Sequence, residues 1–167
     1  MEAHRECPHC GKTYTGFRNP TPAADVIIYE PSLGIVVIER KNTPKGYAIP
    51  GGFIEEGEWA EEAAVREMRE ETGLEVELLG LLGLYSNPDR DPRFHTMTAV
   101  YVGKPKDAKQ LQAGDDAKHA AFYPLESLPK PLVFDHEQVV HDFSDYLSGK
   151  RSLAPLDASY CARRRAQ

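Results

Sequence analysis

A chain of 167 residues that is 41% hydrophobic and 28% charged has the size and composition of one folded domain, not of a disordered segment. Its formal charge of -6 excludes bulk, sequence-independent binding to DNA or RNA, which needs a basic surface, and argues against attachment to an anionic membrane. The opening MEAHRECPHC holds no apolar core of a leader, and runs such as VIIY and GIVVI are far too short to span a bilayer. Three cysteines, an odd number, make no disulfide framework, so a reducing cytoplasm is the expected setting.

In chain order, residues 1–20 are polar and carry the pair Cys7-Pro-His-Cys10-Gly. ADVIIYE and GIVVIER, separated by Pro31 and Gly34, are predicted to form a hairpin. KNTPKGYAIPGG reads as a loop with a short strand at Tyr47 to Ile49. From Trp59 to Thr72 the pattern turns helical and stops at Gly73, a residue suited to a left-handed cap. LEVELLGLLGLYS is predicted as a strand with bulges at Gly80 or Gly83. NPDRDPR follows as a turn-rich loop, FHTMTAVYVG as a strand, and KPKDAKQLQAGDDAK as a charged loop. HAAFYPL then reads as a short strand, and Asp135 to Leu147 as a second amphipathic helix. The division expected is an N-terminal segment (1–20), one domain (21–150) and a flexible basic tail (151–167). Strands interleaved with two helices give an α/β class, a mixed sheet covered on both faces.

The predicted helix poses a problem. At 100° per residue, Ala60, Ala63, Ala64 and Met68 make its apolar stripe, yet Glu67 and Glu71 fall inside that stripe and Glu70 at its edge. Glu67 also faces both Glu70 and Glu71, a repulsive spacing. Either the helix simply exposes a glutamate-rich face, or something cationic sits among the carboxylates. Hard oxygen donors on one helix face suit Mg²⁺ or Mn²⁺, which also take phosphate oxygens. Such a metal would let an acidic protein act on a phosphate ester.

The full stretch from Gly52 to Leu74, GFIEEGEWAEEAAVREMREETGL, resembles the Nudix box, G-x5-E-x7-R-E-U-x-E-E-x-G-U with U a bulky aliphatic residue. Gly52, Glu58, Arg66, Glu67, Met68, Glu70, Glu71, Gly73 and Leu74 stand at its fixed positions, Met68 serving as U. The resemblance implies the family's α/β/α sandwich and metal-dependent hydrolysis of a nucleoside diphosphate linked to another group. It implies that Glu67, Glu70 and Glu71 ligate the metal, with the Gly52 carbonyl beside them. Arg66 would orient the carboxylates and Glu58 would support the junction of loop and helix.

The flanking sequence bears on the substrate. DPRFH before a strand, AGDDAKHAAFYPLESLP and VFDHEQVV are similar to the corresponding stretches of prokaryotic ADP-ribose pyrophosphatases. Arg90 and Arg93 could clamp phosphate oxygens with forked donors, and Asp91 could accept a ribose hydroxyl; the alternative is a turn satisfied by its own salt bridges. Arg40, with Lys41 and Lys45, either meets phosphate or lies in a solvated loop. The catalytic base implied is a late-loop carboxylate, Asp116, or a box glutamate such as Glu70, although Asp115 and Asp116 could equally solvate a turn. Cys7 and Cys10 are half of a zinc knuckle, and a structural Zn²⁺ would need His4, His9, Cys161 or a second chain to complete it. Hydrolysis of ADP-ribose to AMP and ribose 5-phosphate is the leading expectation. A triphosphate of the 8-oxo-dGTP type and NADH are rival substrates, and a non-catalytic nucleotide sensor is the rival of another class. A homodimer is expected by family analogy alone.

Overall fold

The computed structural model describes residues 2–17, 19–114 and 117–165. Residues Glu2–Glu6 (β1) and Thr13–Phe17 (β2) pair antiparallel as a separate two-stranded hairpin, with Cys7 and Cys10 in its turn. The main sheet joins seven strands. Its centre is Thr21–Glu30 (β3), flanked by Gly34–Arg40 (β4), the two-residue Tyr47–Ala48 (β5) and Gly51–Phe53 (β6). The 13-residue helix Ala60–Thr72 (α1) follows, then Val76–Tyr85 (β7), Thr96–Pro105 (β8) and Ala117–Tyr123 (β9). Helices His136–Leu147 (α2) and Ala158–Arg165 (α3) complete the chain. The sheet is mixed: β3 runs parallel to β8, while β3–β4, β3–β6, β4–β5, β4–β9 and β7–β8 are antiparallel.

Alternation along β3 explains the two layers of helix. Ala24, Val26 and Ile28 point to one face and pack with Ala63, Ala64 and Met68 of α1. Ile27 points to the other, where Ile35, Val37, Val100 and Val102 meet Val139 and Phe143 of α2. These are the two cores of an α/β/α sandwich, as expected. The same alternation puts Asp25 on the α2 side of an otherwise apolar strand.

The local predictions hold where a short-range physical rule governs them. Gly73 adopts φ 68° and caps α1 by donating to the Arg69 carbonyl. At the other end Glu62 accepts a long hydrogen bond (3.4 Å) from the Trp59 N–H. The register of β7 against β8 shifts between Leu78 and Gly80 and again between Leu81 and Gly83, the two bulges expected.

The C-terminal segment departs from expectation. Leu81 and Ala154 exchange backbone hydrogen bonds of 2.8 Å, Asp157 N–H reaches the buried Glu61 carboxylate at 3.3 Å, and Tyr160 is buried beside Trp59. Charge and length suggested a loose tail; the apolar residues Leu153, Leu156 and Tyr160 instead return it to the two cores or to α1. No helix among the described residues is long and apolar enough to cross a membrane.

Candidate active site

A cleft opens where β6 crosses β3, lined by Asp25, Arg40, Gly51, Gly52, Phe53, Glu67, Glu71, Arg90, Asp91, Arg93, Phe134 and His136. Its construction starts from the two glycines. A Cβ on Gly52 would stand 2.2 Å from the Glu67 carboxylate, and one on Gly51 would stand 2.0 Å from Oδ1 of Asp25. With no side chains there, the carboxylates of α1 reach through to the backbone of β6. Gly51 N–H donates to Oε2 of Glu71 at 2.9 Å.

Arg66 holds the box together. Its Nε and Nη2 each donate to Glu58 at 2.9 Å, a forked pair, and Nη2 also reaches the Phe53 carbonyl at 3.0 Å. Nη1 donates to Glu67 at 2.7 Å and to Glu70 at 3.1 Å. The hydrogen bond from Arg66 keeps the Glu58 carboxyl below its ordinary value, and its own guanidinium is raised chiefly by Glu58. Loop, helix start and two box carboxylates are thus fixed by one side chain.

The three glutamates differ. Burial pushes the Glu71 carboxyl up to about 8; the Gly51 N–H only partly offsets it, and the charges of Glu67 and Asp25 add to it. Burial raises Glu67 as well, against the opposing pull of Arg66. Glu70 lies outermost, with 58% of its side chain exposed. Buried carboxylates of raised pKa against glycine backbone are what a hard divalent cation would relieve, so the residues fit Mg²⁺ or Mn²⁺. Among the described residues no three His, Cys, Asp or Glu side chains are already gathered as a metal cage, and Arg66 engages Glu67 and Glu70.

Arg90 lines the cleft but is buried and internally paired. Its side chain is 4% exposed and donates to Asp135 through Nε (2.9 Å) and Nη2 (2.8 Å) and to Thr96 through Nη1 (3.0 Å). A buried guanidinium needs such partners, and Asp135 at the start of α2 supplies them. Arg90 lines the cleft with its forked donors already engaged by Asp135 at the start of that helix. Arg93 donates to both oxygens of Asp91, at 3.0 and 2.7 Å, which is the internally paired turn of the alternative reading. Burial would raise the Asp91 carboxyl, but the Arg93 hydrogen bonds outweigh it and hold it low. Arg93 nevertheless faces the cleft, packed over Phe53, Phe94 and Phe134 at 5.5 to 6.0 Å. Arg40 stacks on Phe134 at 4.9 Å from the other side. Phe134 itself sits at φ 59°, strained for a bulky residue, and such strain concentrates at functional sites.

Among the titratable residues of the cleft, Asp25 and His136 escaped the sequence reading. The signal for Asp25 was there, a carboxylate inside the run PAADVIIYE; that for His136 was not, because its place depends on α2 docking. Asp116 lies outside the described residues; the described end of its loop touches the box helix, where Gly114 N–H donates to the Glu71 carbonyl at 2.9 Å. Backbone N–H groups of His9 and Cys10 lower the Cys7 thiol, but no third ligand joins Cys7 and Cys10 among the described residues. Nothing supports zinc there.

The NUDIX domain family matches residues 19–143. The ADP-ribose pyrophosphatase of Methanocaldococcus jannaschii is 49% identical over 140 residues, covering 83% of this chain and 81% of that protein. The ADPR responsive transcriptional repressor NtrR of Acinetobacter baylyi is 28% identical, over 86% of this chain and 60% of its own length. The NUDIX domain of Shewanella oneidensis NrtR, solved with ADP ribose, superposes with a TM-score of 0.66 at 24% identity, covering 78% of this chain and 90% of that one, a likeness of fold. With every fixed position of the box filled, and its arginine and carboxylates assembled against the Gly-Gly turn, the chain belongs to the Nudix family of hydrolases.

Proposed function

We propose that the protein hydrolyses ADP-ribose to AMP and ribose 5-phosphate in the presence of Mg²⁺ or Mn²⁺. The observation that carries the reading is the pair of carboxylates, partly buried Glu67 and buried Glu71, at the glycine backbone of a cleft that also holds Arg40 and Arg93. The substrate is chosen by the likeness to the M. jannaschii enzyme over most of the chain.

In this reading Glu67, Glu70 and Glu71, with the Gly52 carbonyl, hold the cation, and Arg66 and Glu58 keep them aimed. The bound cation neutralises diphosphate charge and makes the attacking water more acidic. Arg93 and Arg40 meet phosphate oxygens, with Asp91 orienting Arg93. A carboxylate, Glu70 or Asp116, accepts the proton of the water as its oxygen bonds to phosphorus. The bridging P–O bond breaks, and the two monophosphates leave. A cytoplasmic setting suits the free thiols of Cys7, Cys10 and Cys161, and a homodimer belongs to the reading by analogy alone.

The test is a panel of ADP-ribose, NADH, diadenosine polyphosphates and 8-oxo-dGTP with Mg²⁺, products separated by chromatography. ADP-ribose should turn over fastest and only with Glu70 intact, Glu70→Gln being the control. Faster cleavage of 8-oxo-dGTP would transfer the function to nucleotide sanitising. Binding of ADP-ribose without turnover of any compound would make the protein a sensor, the class to which its A. baylyi relative's name belongs.

A further inference from the structure

On the wall of the cleft, away from the box, a histidine and an aspartate face each other without touching. His136 is 2% exposed, and its Nδ1 accepts the backbone N–H of Ile49 at 2.9 Å. An amide N–H can only donate, so the ring's own hydrogen lies on Nε2. That Nε2 points to Oδ2 of Asp25 across 3.8 Å, beyond hydrogen-bond reach. Asp25 is 8% exposed and has Nη2 of Arg90 also at 3.8 Å, while Gly51 backbone and the Glu71 charge lie on its other side. The fold therefore presents, at the cleft wall, a donor and an acceptor from two buried residues, separated by a gap that one oxygen atom about 2.8 Å from each would fill.

A water molecule answers both, and few substrate groups could take its place. A phosphate oxygen accepts but cannot donate, and it would meet Asp25 as like charge. A cation would be opposed by the Nε2 hydrogen. A hydroxyl donates to the carboxylate and accepts from the imidazole. Because Asp25 lies within reach of the Glu71 charge, the hydroxyl belongs to the group next to the reacting diphosphate, which in a nucleotide sugar is a ribose.

Resting on the substrate reading above, we propose that Asp25 and His136 are the specificity pair that reads one ribose hydroxyl of the substrate. Arg90 and Asp135 serve it as positioning residues, holding the start of α2 so that His136 meets Asp25. The pair raises kcat/KM for a sugar-linked diphosphate by rejecting substrates that leave it unanswered, since a buried polar group left unpaired costs the complex heavily.

The experiment compares ADP-ribose with analogues each lacking one ribose hydroxyl, in wild type and in His136→Asn. Asparagine keeps an acceptor where Nδ1 met Ile49 and deletes the Nε2 donor. Wild type should cleave one deoxy analogue about 10- to 100-fold less efficiently than ADP-ribose. In His136→Asn that penalty should shrink toward unity, and His136→Gln, which restores a donor near Nε2, should recover part of it. A merely structural role would lower all substrates together and leave the penalty intact, and that result overturns the proposal. So does a wild-type enzyme indifferent to every deoxy analogue, a readout that needs no variant to fold. A penalty for replacing adenine by hypoxanthine that vanishes in His136→Asn would assign the pair to the base and overturn it too. If wild type leaves ADP-ribose intact while cutting 8-oxo-dGTP, the substrate reading falls first and takes this one with it.

Discussion

At the scale of single residues the site is a set of unequal carboxylates, and their inequality is what can be tested. Gly51 and Gly52 are neighbours with opposite sensitivities. A Cβ at Gly52 meets the far end of the flexible Glu67 side chain, whereas one at Gly51 meets the Ala24 carbonyl and Asp25 Cα at 2.6 Å. Gly52→Ala should therefore leave thermal unfolding within about 1 kcal/mol of wild type while displacing Glu67 and weakening activation by Mg²⁺, and Gly51→Ala should unfold well before either. Calorimetry with a Mg²⁺ activation curve separates the two. Arg90 and Arg93 form a second contrast. Removing Arg90 strands the buried Asp25 and the partly buried Asp135 carboxylates, so Arg90→Ala should cost about 3–5 kcal/mol in urea unfolding. Arg93→Ala leaves the buried Asp91 carboxylate without its ion-pair partner, so it too should destabilise, and because Arg93 faces the cleft it should in addition raise KM. The clustering of Glu67, Glu70 and Glu71 was legible in the sequence because it follows from spacing along one helix, while the roles given to the box residues came from the family resemblance. The roles of Arg90 and His136 were not legible, because burial against Asp135 and docking on Ile49 join positions far apart in the chain.

At the scale of elements, period and punctuation carried most of the prediction. The hairpin of β3 and β4, the helix closed by Gly73 and the bulges at Gly80 and Gly83 each follow from a local rule. The C-terminal segment did not, since its sequence is short of apolar period and rich in charge, and the placement of residues 154–160 comes from contacts with Leu81, Glu61 and Trp59. Tyr160→Ala should accordingly destabilise by about 3 kcal/mol, measured by denaturant unfolding, where a loose tail would show no change. The junction of β7 and α2 predicts a pH effect. Burial would raise the Asp142 carboxyl, but hydrogen bonds from Tyr85 and Gln138 and the Arg151 ion pair outweigh it and keep it below its ordinary 3.8. A carboxyl lowered on folding stabilises at pH above its unfolded value, and that stability is lost as pH falls through the folded one. The stability difference between wild type and Asp142→Asn should thus be constant above about pH 5 and shrink below about pH 4. A difference that stays constant to pH 3 would show that Asp142 makes no such contribution.

For the whole molecule, an acidic chain handles a doubly charged diphosphate by concentrating its carboxylates where a cation can bind and setting arginines across the cleft. Sandwich, helix and cleft form one arrangement: β3 supplies Asp25, β6 opens the backbone, α1 brings the box and α2 brings His136. The most direct measurement is the rate of AMP formation from ADP-ribose across a Mg²⁺ titration, for wild type and Glu71→Gln. The account predicts no product after chelation, saturable activation by Mg²⁺ in wild type, and a rate lower by at least about 100-fold in the variant at matched metal, because the buried ligand is gone. Full activity in Glu71→Gln, or AMP released from wild type in the presence of chelator, would contradict it.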